Sequence, residues 1–221
     1  MDVRTALLTR KSTRAFLNRE VEREKIVRIL DGAKHAPSGT NTQPWQVAVV
    51  TGAKKLALQK KMEANFRNGE NGKMDYRYYP AKWRAPYDKR RKACGLLMYR
   101  TLGITRETRQ RQLDQWAANY RAFDAPAVLF FFIDPHLETG SFFDYGMFFQ
   151  SIMLGAVEEG LATCPQAALG EYPDLVKKAL GYPEDAILIC GMALGYEDQA
   201  APINSYRTER EAVADFTRFF E

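Results

Sequence analysis

The sequence predicts an α+β layered domain. Three or four stretches read as strands, at 46–52, 125–134 and 186–196, against six or more segments with helical periodicity. They do not alternate strand for helix, so a βαβ wind is not indicated. Two of the strands, "APAVLFFFID" and "AILICGMALGY", are almost wholly apolar, the mark of strands central in a sheet covered on both faces.

Each element has a local reason. Asp2 can cap a first helix to about Thr9, with Val3, Ala6 and Leu7 facing in. A second helix, roughly 22–34, repeats Ile26, Ile29, Leu30 and Ala33 at 3–4 spacing. The loop "APSGTNTQPW" (36–45) is rich in turn residues and feeds the β-branched strand "QVAVVTG". A helix at about 53–66 carries Leu58, Met62 and Phe66. Residues 67–118 are rich in Tyr, Trp, Pro and Arg with weak periodicity, and flanking helices are expected near 88–101 and 106–120. This excursion has the character of a lid or binding loop. After the strand at 125–134, the run 142–162 is apolar on most faces and predicts a helix buried all round. A short amphipathic helix, 171–182, closes at Gly181. The tail "YRTEREAVADFTRFF" predicts a last helix with Phe216, Phe219 and Phe220 on its own core or a partner's. The chain thus reads as one domain, 1–221, with a cap insertion at about 67–118.

Composition removes several function classes. Three cysteines, Cys94, Cys164 and Cys190, stand far apart without a CxxC, so neither a disulfide framework nor a zinc ribbon is supported. His35 and His136 lack metal-ligand spacing, and two histidines make a Ser-His-Asp hydrolase improbable. No apolar run reaches the roughly 18 residues of a membrane span. "MDVRTALLTR" lacks a signal-peptide core, so a cytoplasmic protein is expected. The net charge of +5 is spread among acids rather than gathered in one stripe; its densest block, "DKRRK" (88–92), fits a solvated helix face. No GxGxxG follows a strand, and "GAVEEGLAT" has P-loop glycine spacing without the lysine. Few catalytic side chains remain, which leaves a binding protein or an enzyme whose cofactor carries the reaction.

"RKSTRAF" (10–16) is the candidate anion site. Arg10, Ser12 and Arg14 share one side of an extended stretch, with Lys11 beside them. Guanidinium and hydroxyl donors in one small volume are what a phosphate takes. "YRTER" near the other end supplies Arg207 and Arg210, provided the fold brings the termini together.

Four motifs in order resemble the FMN-dependent nitroreductase family: R-x-S-x-R after the opening helix, "APSGTNTQPWQVAVVTG", "NYRAFDAPAVLFFF", and "CPQAALGEYPDLVKKALGYPEDAILICGMALGYED" followed by R-T-x-R. The resemblance implies the nitroreductase-like α+β fold, a mostly antiparallel sheet flanked by helices, and an intertwined homodimer with two FMN sites at its interface. Arg10 and Arg207, aided by Lys11, Ser12 and Arg210, would hold the phosphate. Arg14 would reach the pyrimidine edge of the ring and stabilise charge near N1 and O2 of reduced flavin. Pro37, Ser38, Gly39 and Asn41 would come from the other subunit. Asn119 would bond the ring, and Pro165, Gln166, Ala167 and Ala168 would lie over it. NADH or NADPH would reduce the flavin, and a small nitroaromatic or quinone-like acceptor would take the hydride in a ping-pong scheme. Tyr76, Tyr78, Tyr79, Trp83, Tyr87 and Trp116 are candidate substrate walls, with Tyr79, Trp83 and Trp116 foremost. Within the superfamily, a reductive dehalogenase or a flavin-consuming enzyme is the alternative. Outside it, a basic ligand- or nucleic-acid-binding module is.

Overall fold

The computed structural model describes all 221 residues. Its sheet has four strands, β1 (Gln46–Thr51), β2 (Ala127–Ile133), β3 (Ala162–Gln166) and β4 (Ile187–Gly195). They pair antiparallel throughout, in the order β1-β2-β4-β3. The helices are α1 (Val3–Thr9), α2 (Arg23–Ala33), α3 (Gly52–Arg67), α4 (Tyr87–Thr101), α5 (Arg109–Tyr120), α6 (Thr139–Glu158), α7 (Pro173–Leu180) and α8 (Val213–Phe216). None is long and apolar enough to cross a membrane.

β2 and β4 are central, as their apolar sequences require. Every residue of β2 is buried. Val128, Phe130 and Phe132 enter one core with Leu58 and Met62 of α3. Leu129, Phe131 and Ile133 enter the other, with Ile26 and Ile29 of α2 and Tyr145, Phe148 and Ile152 of α6. One two-faced strand therefore holds two helical layers together.

The strand pattern does not announce β3, because "ATCPQ" contains a proline. Pro165 has no N–H to give a ladder. It is tolerated because β3 is an edge strand, paired only with β4 from Ala162↔Gly195 to Gln166↔Gly191. The chain leaves α6 through Gly160, whose φ of 71° suits glycine, so the helix ends at Glu158 and not at 162.

Three packing expectations are corrected. α6 buries one face through Tyr145, Phe148, Ile152 and Ala156, while Phe143 on the other face is 75 % exposed and Met147 is exposed too. Its burial is one-sided because the sheet and α2 cover a single stripe. α1 buries only Ala6, the small residue that lets it lie close on α6; Val3 and Leu7 are exposed. The tail forms a single helical turn, Val213–Phe216, and Phe216, Phe219 and Phe220 are exposed, so it does not pack on this chain's own core.

The excursion between α3 and α5 is tied to β4 at one place. The Asp75 carboxylate accepts the Leu188 N–H at 2.9 Å and pairs with buried Lys177 at 3.3 Å. The Tyr76 hydroxyl donates to Ile189 O at 2.8 Å. Gly72 sits where an added Cβ would come within 2.6 Å of Glu171, so the strap passes only because no side chain is there.

Candidate functional site

Residues 10–17 are an extended ribbon. The Thr13 N–H donates to Thr163 O at 3.0 Å, and the Leu17 N–H to Tyr196 O at 2.9 Å. Asn204 fixes its middle: Oδ1 accepts the Arg14 N–H at 2.8 Å, and Nδ2 donates to Ala15 O at 2.9 Å. Extended backbone alternates its side chains. Thr13 is accordingly buried, while Ser12 and Arg14 face a cavity of about 560 Å³.

That cavity joins the two chain ends. Arg10, Ser12 and Arg14 meet Arg207 and Arg210 there, with Tyr206 alongside. The Arg207 guanidinium donates to Arg10 O at 3.0 Å and also to Thr9 O, which locks the terminal segment onto the ribbon. No carboxylate pairs with any of these four arginines, although ion pairs exist elsewhere on the chain. Arg10 Nε is buried without a hydrogen-bond partner. Burial, and then Arg210 and Arg207, hold the Arg10 guanidinium below its ordinary pKa. Like charges gathered without a counterion raise the local free energy, and a bound anion relieves it. Lys11 is used differently: its ammonium pairs with Glu197 at 2.6 Å and donates to Asn204 O at 2.6 Å. Neutralised in this way, it helps shape the ribbon.

A second cavity, about 510 Å³, shares Arg14 with the first. Asn119 and Trp116 of α5, Tyr78 and Tyr79 of the excursion, and the β3 end from Pro165 to Ala168 border it. Gln166 donates to Asn119 O at 3.0 Å and to Asn119 Oδ1 at 3.3 Å, while its own Oε1 is buried without a partner. The Tyr120 hydroxyl donates to Glu171 at 2.5 Å, and burial pushes the phenol well above its usual pKa, with Glu171 adding to the shift. Aromatic rings dominate the lining of the second cavity, and arginines that of the first. Arg14 stands where they meet.

Several predicted residues lie elsewhere. Pro37, Ser38, Gly39 and Asn41 line neither cavity. Their turn is nonetheless built: Thr40 and Asn41 adopt φ of 49° and 60°, the Gly39 N–H donates to buried Asp144 at 3.2 Å, and Ser38 Oγ accepts the Gln43 N–H at 3.0 Å. Trp83 stands behind Tyr79, 5.6 Å between ring centroids, under the Arg91 guanidinium. Tyr76 packs on Phe142, and Tyr87 is exposed.

Sequence reasoning missed Phe66, Tyr120, Phe123 and Glu171, all at the second cavity. It also missed what holds Phe123. Ala122, Phe123 and Asp124 all adopt positive φ, 51° to 59°. Lys55 Nζ donates to Ala125 O at 2.5 Å, Gln59 donates to Arg121 O, and Glu63 pairs with Arg121 at 2.7 Å. The i, i+4, i+8 polar stripe of 55, 59 and 63 beside an apolar one was the readable signal.

Two cysteines are closed off. Burial pushes the Cys164 thiol up to about 11 and the Cys190 thiol up to about 12. Cys94 is exposed and borders the arginine cavity. At pH 8 one thiol per chain should react rapidly with a disulfide reagent, and three after denaturation. Three fast thiols in the native protein would contradict this packing.

The nitroreductase family model matches residues 7–196. The chain is 34 % identical over 218 residues to a 4-nitrobenzoate reductase of Pseudomonas putida, covering 99 % of this chain and 95 % of that protein. A crystal structure of an FMN- and NADPH-dependent nitroreductase from Sphigopyxis sp. strain HMH superposes with a TM-score of 0.96 at 37 % identity, covering 100 % of both chains. An FMN-dependent nitroreductase from Mycobacterium smegmatis in complex with NADPH superposes with a TM-score of 0.93 at 32 % identity, again over 100 % of both.

Proposed function

The chain belongs to the nitroreductase family, and from that premise we propose that it is a cytoplasmic, homodimeric, FMN-dependent oxidoreductase that reduces nitroaromatic acceptors with NAD(P)H. One observation carries the reading: four arginines without acid partners surround a cavity that joins, through Arg14, an aromatic cavity of ring size.

The donor set fits FMN. Arg10, Arg207 and Arg210, with Ser12, would grip the phosphate, and the orphaned Arg10 Nε would gain an acceptor. Arg14 would reach along the groove to the pyrimidine edge of the ring. Asn119 and the 165–168 segment would lie against the ring. When bound, FMN would supply the hydride-transfer chemistry that links NAD(P)H to the acceptor at one site. The protein's task is to position and to set charge. Arg14, at the junction of the two cavities, would stabilise negative charge at the ring edge. Tyr78, Tyr79 and Trp116 border the ring cavity and would shield the exposed ring face, with 67–118 serving as the cap of the site. The 37–41 turn, held by Asp144, would reach the partner subunit's flavin. The exposed apolar face of α6 and the phenylalanine tail support such a partner.

The test is an absorbance spectrum of the purified protein, then FMN titration and NADPH oxidation with a nitroaromatic acceptor. A flavin spectrum and acceptor-dependent turnover are expected. FMN should also slow alkylation of Cys94, which borders the phosphate end. A folded, colourless protein that ignores added FMN and labels at an unaltered rate would end the proposal.

A further inference from the structure

We propose that Arg106 and Arg109 hold the 2′-phosphate of NADPH, and that one face of α5 connects this point to the ring cavity. The proposal rests on the flavin reading above and names which reductant the site selects. α5 presents Arg109, Leu113, Trp116 and Tyr120 at helical spacing, so they form a single stripe. Trp116 belongs to two hollows. It borders the ring cavity beside Asn119 and Tyr120, and it closes a smaller hollow of about 290 Å³ with Arg106, Arg109, Gln112 and Leu113. The Trp116 indole N–H donates to the Tyr99 hydroxyl at 2.7 Å, which holds the ring between them.

The separation matches the ligand. Ten residues of helix place Arg109 about 15 Å from Asn119. An extended dinucleotide reaches that far from its nicotinamide to its adenosine 2′-phosphate. The guanidinium fork suits a phosphate dianion better than any neutral hydroxyl. Nearby bases are spoken for: Arg67 pairs with Glu63 and Asp114, Arg90 with Glu211, and Lys92 with Asp88. Arg106 and Arg109 pair with no acid. Glu107 lies between them in sequence, and its carboxylate is engaged by the Thr105 side chain and its own backbone, which hold it below the usual carboxylate range, while it forms no ion pair with either arginine.

The charge of the whole excursion points the same way. Residues 67–118 contain thirteen Lys and Arg against five Asp and Glu, whereas the rest of the chain has nineteen against twenty-two. Basic residues occur along the whole chain and are interleaved with acids, but their excess over acids falls within the cap, where it would steer a polyanion toward the ring cavity. NADPH gains more from such a field than NADH, by its extra phosphate.

The experiment compares the wild type with the double variant R106Q/R109Q. For the FMN-loaded enzyme, kcat/KM for NADPH should fall at least tenfold, and for NADH no more than about threefold. Calorimetry should show adenosine 2′,5′-bisphosphate binding the wild type at least tenfold more tightly than the variant, with 5′-AMP distinguishing the two proteins far less. R106K/R109K should recover part of the loss. Equal losses with both dinucleotides would mean general steering and overturn the site; so would no loss, or a wild type that does not bind the bisphosphate. The calorimetric arm needs no flavin, so it reads the arginine pair even if FMN binding fails, a failure the spectrum reports separately.

Discussion

Replacing Arg10 and Arg207 together by alanine is expected to raise the dissociation constant for FMN by about 100- to 10,000-fold, as read by flavin fluorescence quenching. Hydrogen bonds to a charged group contribute roughly 1.5–3 kcal/mol each, and each 1.4 kcal/mol is about tenfold in affinity. Riboflavin, which lacks the phosphate, should lose only a few-fold. That contrast separates loss of a phosphate contact from loss of structure, which matters because Arg207 also holds the carbonyls of Thr9 and Arg10. Stability should move in the opposite sense at Arg210, an exposed member of the group. Arg210 repels the Arg10 guanidinium, so Arg210→Ala should leave the flavin-free protein as stable as before or more so, while weakening FMN. Binding-site charge kept against local stability is the expected signature of function. FMN affinity unaltered in the double variant would refute the phosphate assignment.

Phe131→Ala should lower stability by about 3–5 kcal/mol, the usual cost of emptying a large aromatic site that cannot collapse. In a chain of this length that is roughly 10 °C or more in Tm. Phe131 is fully buried on β2 and meets Phe149, Phe148 and Tyr145 of α6, with centroids 4.6 to 6.4 Å away. α6 cannot drop to fill the space, because Tyr145 is pinned: its hydroxyl accepts the Gln46 N–H at 2.7 Å and donates to Phe132 O. Thermal unfolding monitored by circular dichroism checks this. A shift of only one or two degrees would show that the α6 layer repacks freely.

Much of this was legible along the chain. The strands of β2 and β4, and the stripes on α2 and α3, declare themselves by period and by continuous apolarity. β3 did not, because Pro165 breaks the strand pattern and is acceptable only at an edge, a position defined by neighbours. α6 read as buried on all sides because apolarity reports what a surface avoids and not what covers it; Phe143 shows the difference. The site divided in the same way. Arg10, Ser12, Arg14, Arg207 and Arg210 were named from their types and spacing. Phe66, Tyr120, Phe123 and Glu171 were not, since they reach the cavity from three separate stretches of chain.

Sequence alone determined which residues could bind an anion and which strands had to be central, since donor chemistry and apolar periodicity are local properties. Tertiary structure decided which charges stayed free. Lys11 and Arg10 are adjacent and both cationic, yet one faces Glu197 and the other faces Arg207 and Arg210. A charge acts through whatever lies opposite it, and only the folded chain says what that is.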